Sequence, residues 1–201
     1  MIRKLFACLG LLALGACNAP PPPKMVDAFT NLYNASSASV PVDAPATASP
    51  PVGLIFSENV EAHIGMIKDS NEYWGKIVPA SLTNTVGLAD NNPLYFSGRI
   101  LDLLKRHFPG ATPVHDFNEA TQKGMRSVIL VDLRMQYGMR SGQTSKMDID
   151  LYVFDQSMNP VSRLTSHSEF TIPYPAIHAG MQQMTNEDIA QLDRKLTQFV
   201  R

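Results

Sequence analysis

The chain has 201 residues, with 17 Lys and Arg against 18 Asp and Glu, for a formal net charge of −1. So even a balance gives no reason to expect nucleic acid or an anionic membrane surface as a partner. Its two cysteines are Cys8 and Cys17, so disulfides, thiolate metal sites and cysteine nucleophiles are excluded beyond residue 17, and packing alone must hold the fold.

Met1 is followed by Arg3 and Lys4, by an apolar run from Leu5 to Leu14, and by small residues before Cys17. A basic n-region, a short h-region and small residues before a cut make a secretory signal peptide. The run is too short for a transmembrane span, which needs about 20 residues. Leu14-Gly15-Ala16-Cys17 resembles the lipobox of bacterial lipoproteins. The resemblance implies a diacylglyceryl group on the Cys17 thiol, cleavage after Ala16 and acylation of the new amino terminus. One acyl chain binds a bilayer marginally, at about 0.8 kcal/mol per buried CH₂, whereas three hold essentially permanently. Asn18 follows, where an aspartate often signals inner-membrane retention in enteric lipoproteins, so the expected location is the outer membrane, facing the periplasm. Removing residues 1–16 leaves 185, and without Arg3 and Lys4 the 15 remaining cations face 18 acids, a net of −3.

From Cys17 to Pro51 the composition shifts. Eight of the 15 prolines fall here, with Ala, Ser and Thr between them. Such a stretch buries too little apolar surface to offset its ordering entropy. It reads as a tether, reaching roughly 30 Å as coil and up to about 100 Å extended. The alternative for Met25 to Tyr33, where Met25, Val26, Phe29, Leu32 and Tyr33 have near-helical spacing, is a short docking helix. Residues 52–201 form the expected domain, long enough for its own core.

Val52 to Phe56 reads as the first strand, and Glu61 to Ile67 as a continuation of the sheet. From Asp69 to Pro93 the pattern weakens, and Trp74 there reads as a core or lip residue. Ser97 to Phe108 is an amphipathic helix, with Ser97 as N-cap, Ile100, Leu101, Leu103, Leu104 and Phe108 on one face, and Lys105, Arg106 and His107 at the carboxyl end. Asp116 caps a short helix, Phe117 to Lys123, ended by Gly124.

Val128 to Tyr137 and Met147 to Phe154 alternate, with odd-numbered apolar residues on one face and Asp132, Arg134, Gln136, Asp148 and Asp150 on the other. They read as a hairpin. A turn centred on Gly142 sets Leu133 opposite Leu151 and Arg134 opposite Asp150, the latter an exposed pair worth about 0.2–1 kcal/mol. Val161 to Ile172 is an edge strand. Pro173 to Gly180 reads as loop, and Thr185 as the cap of a closing helix that buries Ile189, Leu192, Leu196 and Phe199.

The expected fold is α+β: one domain with helices packed on an antiparallel or mixed sheet. Behind a lipidated cysteine and a proline-rich stretch, the run from about Ile100 through Glu169 resembles a group of small envelope lipoproteins. The resembling stretch holds the apolar helix, Phe117-Asn118-Glu119-Ala120, Val128-Ile129-Leu130-Val131-Asp132-Leu133 and the hairpin. The group includes penicillin-binding-protein activators, curli-export lipoproteins and relatives similar to the amino-terminal domain of the Tol translocation protein.

No metalloprotease helix, phosphate loop, dinucleotide fingerprint or nucleophile elbow occurs in the sequence. Asp148 and Asp150 form a D-x-D able to meet a divalent cation but without a third acidic ligand nearby, and a solvated strand face accounts for them better. His115-Asp116 could pair a base with its orienter, although Asp116 also suits a helix cap. In Ser166-His167-Ser168-Glu169, His167 and Glu169 share one strand face while both serines point the other way, which disfavours a nucleophile bonded to its base. By analogy of architecture, the expectation is a non-catalytic accessory lipoprotein without a cofactor. It would be held to the membrane at Cys17 and would bind an envelope protein partner through the edge strand and the Pro173–Gly180 loop. The alternatives are a lipid or lipopolysaccharide carrier with an apolar groove, and an envelope hydrolase.

Overall fold

Period-two alternation in the third and fourth strands dictates the centre of the molecule. The computed structural model describes residues 21–33, 36–77, 92–138, 142–171 and 177–200, the side chains of 177–179 excepted. In chain order these form α1 (Ala28–Tyr33), β1 (Val52–Phe56), α2 (Glu58–Ile77), α3 (Tyr95–His107), β2 (Thr112–Pro113), α4 (Phe117–Gln122), β3 (Ser127–Gln136), β4 (Thr144–Phe154), β5 (Pro160–Thr171) and α5 (Ile177–Phe199). The strands make one sheet in the order β2-β1-β3-β4-β5. β1 runs parallel to β2 and β3, and the β3–β4–β5 meander is antiparallel. The parallel step from β1 to β3 is bridged by helices, as such a crossover requires. The fold is thus α+β on a mixed sheet.

Odd-numbered residues of β3 and β4 face the helices. Ile129, Val131, Leu133, Ile149 and Leu151 pack with Ile100, Leu103 and Leu104 of α3 and with Ile189, Leu192 and Leu196 of α5. His107 ends α3 by bonding Asp193 of α5 through Nε2 at 2.6 Å. Asp116 caps α4 as its sequence position suggests, its carboxylate accepting the Glu119 N–H at 2.7 Å. Gly124 follows with φ of +68°, where a side chain would be strained.

Three helix boundaries differ from the sequence reading. Glu61 to Ile67 does not continue the sheet but lies within α2, where Asn59, Val60, His63 and Ile67 are buried at helical spacing. Glu58 and Glu61 in its first turn suit the positive end of the helix dipole. α3 starts at Tyr95, so Ser97 is already in the first turn, its hydroxyl donating to the Leu94 carbonyl. α5 starts at Ile177, and Thr185 lies inside it with Oγ1 donating to the Met181 carbonyl four residues back. A threonine followed by acids looks like a helix start, but its hydroxyl can be satisfied within a helix equally well. Residues 177–180 are therefore helix rather than loop, and residues 172–176 lie outside those described. Gly180 is needed where it stands: a Cβ there would enter the ring of Phe170.

The larger correction concerns the supposed tether. From Met25 onward the chain packs on the domain. α1 forms, and Phe29 stacks on Tyr152 with ring centroids 4.7 Å apart and is fully buried. Tyr33, Phe117 and Phe154 complete an aromatic cluster with it. The segment then crosses the sheet edge. Arg163 N–H donates to the Pro41 carbonyl and Asp43 N–H to the Arg163 carbonyl, both at 2.9 Å. Farther on, Ala46 N–H bonds the Phe199 carbonyl and Ala48 enters the helix-side core. A composition average misses this because a few large side chains carry the docking.

The hairpin keeps its faces but not its partners. Val131 opposes Leu151 and Leu133 opposes Ile149, a shift of two residues from a turn centred on Gly142. Such a shift leaves every side chain on its own face, so the hydrophobic pattern cannot distinguish the two registers.

β5 is the edge strand, and its open side is largely blocked. Beyond the Arg163 contacts, Lys195 Nζ donates to the Thr165 carbonyl at 2.7 Å, and Gln191 Nε2 donates to the His167 carbonyl at 2.8 Å.

Phe29→Ala should lower stability by about 3–5 kcal/mol in urea unfolding, as for a core aromatic. Limited proteolysis should yield a core starting near Met25. A stability unchanged by the substitution, with a core starting near Val52, would restore the free tether.

Candidate functional site

The face of the sheet opposite α3 and α5 grades from apolar to charged along the strands. Paired rows run Leu130–Tyr152–Arg163, then Asp132–Asp150–Thr165, then Arg134–Asp148–His167, then Gln136–Lys146–Glu169. Phe29, Tyr33 and Val40 of the docked segment, with Phe117 of α4, pack on the apolar end, and the side chains of Asp148, His167, Lys146 and Glu169 in the last two rows stay exposed.

Asp150 is not the exposed residue that strand alternation suggests. It is 1% exposed and held by two arginines, Arg134 Nη2 on Oδ2 at 2.6 Å and Arg163 Nε on Oδ1 at 3.2 Å. The expected Arg134–Asp150 contact therefore exists as a diagonal, because a long side chain reaches the neighbouring row. Burial pushes the Asp150 carboxyl up, against the pull of Arg134 and Arg163. Asp132, directly opposite, is also buried and pushed up, while Ser57 and Asn59 donate to its Oδ1 at 2.6 and 2.8 Å.

Asp148, His167 and Glu169 come together on the exposed rows. His167 Nδ1 lies 2.7 Å from Asp148 and Nε2 lies 3.2 Å from Glu169, which also meets Lys146 Nζ at 2.8 Å. The bond to Asp148 raises the His167 pKa above its ordinary value. The D-x-D is thus divided, Asp148 to a histidine and Asp150 to two arginines, and among the described residues no three His, Cys, Asp or Glu side chains converge to hold a metal ion.

His115 and Asp116 are elsewhere, at the start of α4, whose Phe117 packs on Phe154 at the apolar end of the sheet. Asp116 is engaged in capping, and the His115 backbone N–H donates to Glu119. Cys17 lies outside the described residues.

Two buried ionisable groups had no signal in the sequence reading. His63, on α2, has Nδ1 2.7 Å from the Tyr137 hydroxyl and packs edge-on against Phe96. Burial pushes its pKa down to about 4. Asp188, on α5, takes the Ser168 hydroxyl at 2.6 Å, and burial pushes its carboxyl up to about 6. Its Oδ1 has no hydrogen-bond partner among the described residues. Reading α2 as a helix would have placed His63 beside Asn59 and Ile67 on a buried face. With Thr185 read as the cap, Asp188 falls in the first turn of the helix, where acids are usually solvated.

No family model matches the chain, and no curated protein sequence matches it. Among solved structures it is similar to the PelC dodecamer from Paraburkholderia phytofirmans, at 10% identity and a TM-score of 0.39 over 75% of this chain and 92% of that one. It is also similar to a minor lipoprotein from Acinetobacter baumannii, at 10% identity and a TM-score of 0.30 over 73% and 89%. Superpositions this loose carry no function across.

Asp150→Ala should cost about 2–3 kcal/mol, more than an exposed pair and less than a fully buried one, because Arg134 and Arg163 can still turn toward water. Urea unfolding checks this, and a cost under about 1 kcal/mol would mean that the carboxyl is solvated.

Asp188 and His63 should oppose each other with pH. Between about pH 4 and 6 the folded chain keeps the Asp188 proton that the unfolded chain has released, so this group makes stability fall as pH rises. Between about pH 4 and 6.5 the unfolded chain binds a proton that folded His63 refuses, so this group makes stability rise with pH. Each amounts to about 3 kcal/mol. Relative to the unaltered protein, Asp188→Asn should tilt stability between about pH 4 and 6 toward a rise with pH, and His63→Gln should tilt it toward a fall. Denaturant titrations at stepped pH read both slopes, and two variants shifting in the same direction would contradict the assignment.

Proposed function

We propose that this chain is a bacterial lipoprotein acylated on Cys17, held in the outer membrane and facing the periplasm, whose domain is a non-catalytic accessory that binds a protein partner in an envelope assembly, export or cell-wall complex. The observation that carries this reading is Leu14-Gly15-Ala16-Cys17 behind a basic n-region and a short apolar run. Among the described residues no helix is long and apolar enough to cross a membrane, so a lipid at Cys17 is the anchor that the chain offers.

The geometry of the polar face supports a binding role. Its ionic groups are hydrogen-bonded to one another, with His167 between two carboxylates. A general base needs a neutral nitrogen beside the group that it deprotonates. The apolar side chains between sheet and helices fill a packed core, which favours a binder over a carrier. The edge of β5, first expected as the contact surface, is blocked from Arg163 to His167. The exposed rows from Arg134 to Glu169 are then the better contact surface.

Cys17→Ser should abolish incorporation of a fatty-acid probe in intact cells and leave the signal peptide uncleaved. Labelling that persists in the variant would end the lipoprotein reading. Recovery of the unaltered protein mainly with the inner membrane would overturn the assignment to the outer one.

A further inference from the structure

The first docked residues lie only a few positions beyond Cys17. Asn59, buried at the start of α2, clamps the backbone of Val26 on both sides. Its Oδ1 accepts the Val26 N–H at 3.0 Å, and its Nδ2 donates to the Val26 carbonyl at 2.8 Å. The same Nδ2 donates to Asp132 in the sheet. A carboxamide that satisfies both polar groups of one residue acts like a rung of a β-ladder and leaves that backbone no slack.

The hold continues after Val26. The Asp27 carboxylate accepts the Thr30 N–H and the Ser37 hydroxyl, and Asn31 Nδ2 donates to Glu58 at 2.8 Å. Phe29 is sealed against Tyr152, and the Tyr33 hydroxyl donates to the Met158 carbonyl. At the sheet edge the Ser162 hydroxyl donates to the Ala44 carbonyl, and Asp43 pairs with Lys195 at 2.6 Å. The chain between Val26 and β1 is thus part of the fold and adds nothing to the reach of an anchor.

Resting on the reading of Cys17 as the acylated residue, we infer that the leash is the nine residue steps from Cys17 to Val26 rather than the whole proline-rich stretch, and that the domain is held close to the membrane surface. Nine steps span at most about 30 Å, whereas the 35 residues from 17 to 51 would reach about 100 Å extended. A domain of this size is about 40 Å across. Its near side therefore stays close to the headgroups, and structures standing farther off than leash and domain together are out of reach.

The test uses the full acylated chain in vesicles. Cys8 leaves with the signal peptide and the Cys17 sulfur is acylated, so Leu32→Cys, at a position 43% exposed on α1, introduces one free thiol for a donor dye. Vesicles carry an acceptor dye on lipid headgroups, and the chain is compared with a variant holding nine added Gly and Ser residues between Lys24 and Met25. A short leash is doubled by the insertion, so the mean separation grows about 1.4-fold and energy transfer falls clearly. A leash of 35 residues would lengthen only about 1.1-fold. Transfer that does not change while both proteins float with the vesicles would overturn the short leash. If neither protein floats, the anchor reading fails, and the inference fails with it for that separate reason.

Discussion

A sheet with helices on one side must have its other side either polar or covered, and here it is half of each. Phe29, Tyr33 and Val40 of the docked segment, with Phe117 and Ala120 of α4, supply the cover, and Phe29 against Tyr152 is its centre. Much of the remaining arrangement depends on that contact. It turns the Leu130–Tyr152 end of the open face into a second core, and its boundary falls at the row of Asp132 and Asp150. Two acids opposite one another under a cover would be costly alone. Each has two donors: Ser57 and Asn59 for Asp132, Arg134 and Arg163 for Asp150. Asn59 ties the systems together, since one carboxamide serves Asp132 and the incoming chain.

The edge strand follows the same economy. β5 would present unpaired backbone groups to any passing strand. The chain between Pro41 and Asp43 takes one stretch of that edge, and Lys195 and Gln191 of α5 take the next. Strand addition, the commonest way for a sheet to recruit a peptide, therefore has little room between Arg163 and His167.

What was legible in the sequence was what repeats or acts locally. Both arms of the hairpin follow from alternation, β1 from its apolar run after Pro50-Pro51, β5 from the Met158-Asn159-Pro160 turn before it despite poor alternation, and the Asp116 cap from its place before Phe117. The extent of α2 was not legible, because the run from Glu61 to Ile67 is short and apolar enough to suit either period. The docked segment was legible only in part: the near-helical spacing of Met25, Val26, Phe29, Leu32 and Tyr33 offered a docking helix, while the burial of Val40 and Ala48 was hidden among prolines and serines. The charged cluster was visible as alternating polar residues, yet which acid is buried depends on the cover and not on the strand. His63 and Asp188 gain their perturbed protonation from neighbours distant in sequence, so no local pattern marks them.

His63 and His167 show how burial and charge sort the same side chain. His63 is enclosed beside Tyr137 and held neutral. His167 is 52% exposed, lies between Asp148 and Glu169, and is favoured as the cation. Around His167 both signs are interspersed, with Arg134, Lys146 and Arg163 against Asp148, Asp150 and Glu169. Such a face has little net field to steer a charged ligand over a distance. It can still set orientation and register at contact, where each misplaced charge meets its like. On the reading proposed above, a partner near the same membrane would need no long-range steering, because a short leash would keep the domain there. Selectivity at contact is then the property that the exposed rows would supply.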